Sequence, residues 1–113
     1  MGCRIDYLAT HDYVGNANQV MNRLEMLYKR YGRKIWLTEF AVCCTRDENV
    51  VTDFVKEIVP RLEQADFVYR YSWFITRFNE KKRTGDWYVD SINSLFEKDS
   101  SELSEVGRLY NSL

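Results

Sequence analysis

Three strand-like segments alternate with segments of helical periodicity, and this order constrains the fold more than any other feature of the sequence. Strands are predicted at residues 5–11, 35–40 and 67–74, because these runs are rich in β-branched and aromatic residues. Strands that alternate with helices at this spacing form βαβ units, with a parallel sheet and right-handed crossovers. The sequence therefore predicts an α/β fold, and 113 residues are enough for one domain but not for two.

The helical segments are marked by apolar residues that recur every three or four positions. Helices are predicted at residues 19–31, along the apolar stripe of residues 51–62, and at residues 105–111. Pro60 lies within the second helix and is predicted to kink or end it, while Ser104 is predicted to cap the third. Residues 76–87 are predicted to form a long polar loop, a kind of segment that is often functional, and residues 92–96 a short strand.

Charge and hydropathy argue against two classes of partner. The chain has 16 basic and 17 acidic residues and a net charge of -1, so no polyanion-binding surface is predicted. The basic run at residues 81–83 lies next to Glu80 and is interpreted as a solvated loop. No signal peptide is visible, and no apolar run approaches the length of a membrane span. We therefore expect neither nucleic acid nor a membrane as a partner.

The three cysteines do not indicate a metal site or a cofactor. Cys43 and Cys44 are adjacent, and the single histidine, His11, is far from them in sequence. Metal sites built from these residue types need ligand spacings that this pattern lacks. The cysteines are interpreted as buried or reactive free thiols, or as one half of a disulfide to another part of the protein. No metal and no cofactor are predicted.

Each predicted strand ends in residues capable of chemistry. The residues at these ends are His11, Asp12 and Tyr13 after the first strand, Glu39 near the end of the second, and Trp73 and Phe74 at the third. The carboxyl ends of parallel strands meet at one edge, where active sites are built. A carboxylate nucleophile, a tyrosine to orient it and an aromatic face for a pyranose ring are the parts of a glycosidase site.

Each of these residues alone also has an ordinary structural explanation. His11 could be a hydrogen-bonded structural histidine, Tyr13 a rim aromatic, and Glu39 a salt-bridged edge residue. Trp73 and Phe74 could simply be core residues. The aromatic content of 15% suits a sugar ligand and suits a packed core equally. Only the joint placement of the residues at three successive strand ends favours the functional interpretation.

Three blocks of the sequence resemble glycoside hydrolase family 128, the alkali-sensitive-linkage-type glycosyl hydrolases of fungal cell walls. The blocks are residues 4–13, residues 34–41 (Lys34-Ile35-Trp36-Leu37-Thr38-Glu39-Phe40-Ala41) and residues 68–74, with a similar closing segment at 93–96 and 103–110. The resemblance covers nearly the whole chain. It implies a clan A TIM barrel, a (β/α)8 fold, of which residues 1–113 form a partial glycosyl hydrolase catalytic domain comprising about strands six to eight.

The resemblance also implies an activity and roles for the strand-end residues. Members of the family are retaining enzymes that act on β-1,3-glucans, so the implied partner is a β-glucan polysaccharide or oligosaccharide, met outside the cell or in the cell wall. Glu39 matches the nucleophile after the seventh strand, and His11 and Tyr13 match the substrate-binding cluster after the sixth. Trp73, with Phe74 beside it, matches the aromatic sugar platform after the eighth, whereas Trp36 is expected to pack in the core.

The chain departs from the family pattern in one important respect. The acid/base glutamate of the family lies in an Asn-Glu-Pro-type motif on the fourth strand. The dipeptide occurs here only at Asn79-Glu80, without a following proline, and is not a match. The chain alone is therefore expected to be inactive, and its implied partner is a missing N-terminal half of the barrel. Asp12 stands where relatives often carry a bulkier aromatic residue, which suggests an altered sugar subsite.

Two alternative functions remain open on the sequence. The first is a catalytically inactive, carbohydrate-binding half-barrel that keeps the aromatic rim. The second is a small α/β protein that uses the adjacent Cys43 and Cys44 in redox chemistry. The second is less favoured, because adjacent cysteines close an awkward ring and lack the spacing of an attacking and a resolving thiol.

Overall fold

The computed structural model describes residues 2–78 and 86–113. The Asn79-Glu80 dipeptide and the basic run at residues 81–83 lie outside the described residues. The elements in chain order are β1 (Leu8–Asp12), α1 (Ala17–Tyr31), β2 (Ile35–Phe40), α2 (Glu48–Gln64), β3 (Val68–Trp73), a 3-10 turn (Ser91–Asn93) and α3 (Glu105–Ser112).

The three strands form one parallel sheet in the order β1-β2-β3. This confirms the α/β fold and the parallel connections that the alternation predicts. The first strand begins at Leu8 and not at residue 5, because the preceding residues are exposed and Asp6 forms its ion pair with Arg4 outside the sheet. In the part of the chain that the structure describes, β1 and β3 are both edge strands.

The two faces of the sheet have different surroundings. One face lies under the helices and is fully buried at Ile35, Leu37 and Phe40. The opposite face, here called the open face, carries Trp36, which is 42% exposed, and Tyr69 in edge contact with it at 5.8 Å between ring centroids. The prediction that Trp36 packs in the core is therefore wrong for this chain, since its ring lies on the open face.

The helices are fixed at their ends by short polar contacts and along their length by burial. The Asn16 side chain accepts a hydrogen bond from the Gln19 backbone N–H at the start of α1, and Gly32 ends α1 at a φ of 64°. On α2, the predicted apolar stripe is buried throughout. The helix continues past Pro60 to Gln64, so this proline does not end it. Buried residues on both sides of Pro60 outweigh the one hydrogen bond that a proline removes.

The segment after the described part of the long loop has no strand of its own. The predicted strand at residues 92–96 is instead the 3-10 turn followed by a single antiparallel bridge between Phe96 and Leu103. The turn is held by Asn93, which is fully buried and whose side chain bonds both the N–H and the C=O of Val42 at 3.0 Å. Ser104 caps α3 as predicted, by accepting a hydrogen bond from the Gly107 N–H.

Each helix in the described ranges is too short or too polar to span a membrane.

Candidate active site

The carboxyl ends of β1 and β2 bring a histidine and a glutamate side by side. The register of the sheet pairs His11 with Glu39, after a shift of register that follows Thr10. The distance from His11 Nδ1 to Glu39 Oε2 is 3.4 Å, and both side chains are partly exposed on the open face. The sequence-based prediction that these two residues meet is confirmed at the level of geometry.

Tyr13 completes this group from the turn that follows β1. Its hydroxyl donates a hydrogen bond to Oε2 of Glu39. Burial raises the pKa of the Tyr13 phenol, and the hydrogen bond to Glu39 and the negative charge of that carboxylate raise it further. The phenol therefore stays protonated and acts as a donor to the carboxylate. Among the described residues, both polar contacts of Glu39 fall on Oε2, and Oε1 has no hydrogen-bond or ion-pair partner.

Two aromatic rings contact the ring of Tyr13, and Tyr13, Phe74 and Trp87 together are called the rim below. The Tyr13 ring stands nearly perpendicular to Phe74 at 5.9 Å and to Trp87 at 5.3 Å, measured between ring centroids. Trp87 is 59% exposed, so much of its indole surface is available to a ligand. Sequence reasoning missed Trp87, which stands at the end of the predicted long loop where no periodicity indicates a direction.

The structure places Trp73 away from the rim. The side chain is 5% exposed, and its indole N–H donates to the backbone C=O of Asn93 at 2.7 Å. Its ring packs edge-on against Phe40 on the helix-covered face, at 5.1 Å between centroids. This burial conflicts with the prediction that Trp73 forms a sugar platform, because a ring enclosed by the core offers no face to a sugar. The next residue, Phe74, points instead toward Tyr13.

Asp12 also points away from the site. It is buried beside α1, where Oδ2 lies 3.3 Å from Nη1 of Arg23, and its other oxygen accepts a hydrogen bond from the Val14 N–H. The side chain thus closes the end of β1 onto the helix. This orientation conflicts with the suggestion that Asp12 alters a sugar subsite.

The loop after β2 joins two of the segments that carry the rim, those of Tyr13 and Trp87. The Cys43 N–H donates to the Tyr13 C=O at 3.0 Å, and the Cys44 N–H donates to the Tyr88 C=O at 2.9 Å. Gly15, two residues after Tyr13, lies close to Val42 of the same loop. Its φ is 68°, and a Cβ placed there would lie 2.7 Å from Cγ1 of Val42. Only glycine fits both the left-handed backbone and the close approach.

The cysteines of this loop do not favour the alternative in which a thiol with a lowered pKa is the catalytic group of the chain. Burial, and after it the interaction with the neighbouring Cys44 thiol, raise the pKa of the Cys43 thiol to about 11. Reactive catalytic thiols have a lowered pKa instead. Within residues 2–78 and 86–113, no group of three histidine, cysteine, aspartate or glutamate side chains could hold a metal ion. The site as a whole therefore consists of the Glu39 carboxylate and the exposed Trp87 indole near it. Oε2 of Glu39 is hydrogen-bonded, and its Oε1 has no polar partner among the described residues.

A family model, a curated relative and solved structures all place the chain among glycosyl hydrolase-type proteins. The model of a family described as glycosyl hydrolase catalytic core matches residues 1–110. Alkali-sensitive linkage protein 1 of Schizosaccharomyces pombe is 33% identical over 97% of the chain. An endo-β-1,3-glucanase of glycoside hydrolase family 128 from Pseudomonas viridiflava is 32% identical over 96% of the chain, with a TM-score of 0.74. A second family 128 endo-β-1,3-glucanase, a mutant from Amycolatopsis mediterranei solved with laminaritriose and laminaribiose, is 26% identical over 96% of the chain, with a TM-score of 0.76.

The chain spans only part of each of these proteins. It covers 20% of the yeast protein, 40% of the Pseudomonas enzyme and 45% of the Amycolatopsis enzyme. The three parallel strands and their helices therefore correspond to a part of a TIM barrel.

Proposed function

The chain belongs to the glycosyl hydrolase catalytic core family, and from that premise we propose that it carries the nucleophile side of a retaining β-1,3-glucanase site, with Glu39 as the nucleophile. The observation that supports this proposal most is the state of the Glu39 carboxylate. Its Oε2 accepts the Tyr13 hydroxyl and lies next to His11, while its Oε1 has no polar partner among the described residues. A nucleophile needs one such oxygen directed to the substrate and a fixed orientation.

In this proposal the three polar residues have different tasks. Glu39 attacks the anomeric carbon with Oε1 and forms a covalent glycosyl ester, which water then hydrolyses. The Tyr13 phenol remains protonated, so it stabilises the ionised carboxylate and holds its plane. His11, which is about half exposed beside the same carboxylate, contacts a sugar hydroxyl.

The rim supplies the apolar contacts of the proposed sugar site. Pyranose rings stack their C–H faces on aromatic side chains, and the exposed Trp87 indole is the largest such surface next to Tyr13. Phe74 contacts Tyr13 from the β3 side and borders the same space. We place the sugar between these two rings, over the open oxygen of Glu39.

Catalysis by a retaining mechanism needs a second carboxyl group about 5 Å from the nucleophile. Asp12, the other carboxylate at these strand ends, is bound to Arg23 beneath the sheet and cannot serve. We propose that the acid/base residue comes from a further part of the barrel, and that the chain by itself does not hydrolyse glucan. The proposed partner is thus the remainder of the barrel, which we place N-terminal to this chain.

A covalent trapping experiment tests the nucleophile directly. The barrel-completed protein, in which the N-terminal portion of a solved family 128 glucanase is joined ahead of residue 1, would be treated with a fluorinated laminaribiosyl donor that slows hydrolysis of the intermediate. Peptide mass spectrometry should find one disaccharide on Glu39, and the Glu39→Gln variant should take none. A label on another carboxylate, in a protein that turns over glucan, would refute the assignment.

A carbohydrate-binding function without catalysis is the second candidate. The observation that favours it is the single open carboxylate beside an exposed aromatic rim in the described residues. The two candidates differ in the barrel-completed protein. Binding of laminari-oligosaccharides with no release of reducing ends would favour the binding function, whereas steady release would favour the enzyme.

A further inference from the structure

Two adjacent thiols lie in the loop that follows β2. Cys43 is half-buried and Cys44 is exposed, and neither is in a disulfide. The two thiols belong to consecutive residues, so a single peptide unit separates them. Cys44 has a φ of 61°, a left-handed conformation that non-glycine residues rarely adopt. Strained backbone of this kind clusters at functional positions.

The backbone of the same two residues connects the rim segment of Tyr13 with that of Trp87. Cys43 bonds the carbonyl of Tyr13, and Cys44 bonds the carbonyl of Tyr88, the residue after Trp87. A second contact on this side is the antiparallel bridge between Cys43 and Val89. The two cysteines are therefore bonded through the backbone to the segments of Tyr13 and Trp87, two of the three that carry the rim.

We propose that Cys43 and Cys44 form a thiol–disulfide modification site for low-molecular-weight disulfides such as oxidised glutathione, and that closing the pair alters the position of the rim. This inference goes beyond the glucanase function and does not depend on it. The proposal stands on the adjacent free thiols, the left-handed backbone of Cys44, and the two backbone hydrogen bonds that join the cysteines to the segments of Tyr13 and Trp87.

The reaction is a two-step exchange. The exposed Cys44 thiolate attacks one sulfur of oxidised glutathione, so that a mixed disulfide forms and one glutathione leaves as a thiol. Cys43 then loses its proton and attacks the Cys44 sulfur, which expels the second glutathione. The cysteine pair loses two electrons and two protons, and the oxidant gains them as two thiols.

The product bond would be easily reversed. Neighbouring Cα atoms across a trans peptide are about 3.8 Å apart, whereas disulfide-bonded residues usually have Cα atoms about 4.4–6.8 Å apart. Disulfides formed under such constraint are readily reduced and are typical of regulatory bonds. The pair is therefore suited to report the local thiol–disulfide balance and not to hold the fold together.

Intact-mass measurement tests the modification. The chain with Cys3→Ser, which removes the one distant thiol, would be incubated with glutathione buffers of increasing oxidised fraction. We expect a monomer lighter by two hydrogens that dithiothreitol restores. The added substitutions Cys43→Ser or Cys44→Ser should each stop at one glutathione adduct. If the chain that keeps both Cys43 and Cys44 also stopped at glutathione adducts, without loss of two hydrogens, the proposal would be overturned.

A matched peptide tests whether the fold contributes. A synthetic peptide of residues 40–48 has the same two cysteines without the turn, and it should need severalfold more oxidised glutathione to reach the same extent of closure. Equal formation of the Cys43–Cys44 disulfide in the peptide and in the chain would contradict the claim that the fold promotes it.

Amide hydrogen exchange tests the link to the rim. Oxidation should change the exchange rates of residues 13–15 and 87–89 but not those of α1, and unchanged rates in both segments would contradict the link. None of these measurements uses a sugar, so their failure is distinguishable from failure of the glucanase proposal.

Discussion

Two tyrosine–glutamate pairs in this molecule have the same local chemistry and different places in the fold. The Tyr13 hydroxyl donates to Glu39, and the Tyr71 hydroxyl donates to Glu63. In both tyrosines burial raises the pKa of the phenol first, and the hydrogen bond to the carboxylate raises it further. The pairs would be indistinguishable by hydrogen-bond inspection alone.

Their surroundings separate them. Glu39 lies at the carboxyl end of β2 on the open face, beside His11 and the rim. Glu63 lies near the end of α2 and is exposed, and its partner Tyr71 packs on the helix-covered side against Tyr110. A tyrosine–carboxylate bond on a helix surface is an ordinary stabilising contact. The same bond at the carboxyl end of a parallel strand lies where active sites are built.

The largest stability effect should come from the helix-covered region. Trp73→Ala removes a buried ring and leaves a cavity beside Phe40, so the free energy of unfolding should fall by about 3–5 kcal/mol. Urea denaturation followed by circular dichroism measures this. Trp36→Ala is the matched control, since its ring is on the open face, and in this chain it should cost less than about 1 kcal/mol. The reverse order would contradict the assignment of the two faces.

A smaller effect is expected on ligand binding at the rim. Trp87→Ala should weaken laminari-oligosaccharide binding by the barrel-completed protein by about 1–3 kcal/mol, the range of a lost aromatic contact with its buried area. Isothermal titration calorimetry gives the value. Tyr28→Ala, on α1, is the control aromatic and should leave the affinity unchanged. Unchanged affinity in the Trp87 variant would remove this residue from the proposed site.

The smallest predicted effect is on the free energy of unfolding at alkaline pH, and it is expected for both tyrosine–glutamate pairs. The folded state raises the pKa of Tyr13 and Tyr71 above the ordinary value of 10.0, so it holds both protons more tightly than the unfolded chain does. This contribution to stability is complete below pH 10 and is lost as the pH rises through the folded pKa values. Tyr13→Phe and Tyr71→Phe should each flatten the fall in unfolding free energy above pH 10. An alkaline slope that neither substitution changes would contradict these pKa directions.

Much of the architecture could be predicted from the sequence. The run at residues 35–40 is the strand that the structure contains, the parallel order follows from the alternation, and the family resemblance of the three blocks is confirmed. Glu39, His11 and Tyr13 meet because the carboxyl ends of neighbouring parallel strands must meet. The strand, the parallel order and the meeting of the strand ends depend on periodicity and chain order, whereas the resemblance depends on the three sequence blocks.

The directions of the two tryptophans could not be predicted in the same way. Strict alternation puts Leu37 and Phe40 on opposite faces, yet both are buried under the helices. The sheet achieves this through a shift of register between them where β2 pairs with β3. Irregularities of this kind depend on packing of the neighbouring strands and leave no local signal, so alternation alone does not predict the faces on which Trp36 and Trp73 lie. The rim position of Trp87 likewise depends on contacts between segments distant in sequence.

The most direct test of the central proposal, that Glu39 and not any hydrogen-bonded glutamate is the nucleophile, is a comparison of two variants. In the barrel-completed protein, Glu39→Gln should lower turnover of β-1,3-glucan by roughly three or more decades, since the nucleophile supplies most of the barrier reduction. Glu63→Gln, the same substitution in the other pair, should leave turnover within about twofold, because the residue touches no part of the site. A Glu39→Gln protein that hydrolysed glucan near the unmodified rate, or equal losses in both variants, would contradict the account.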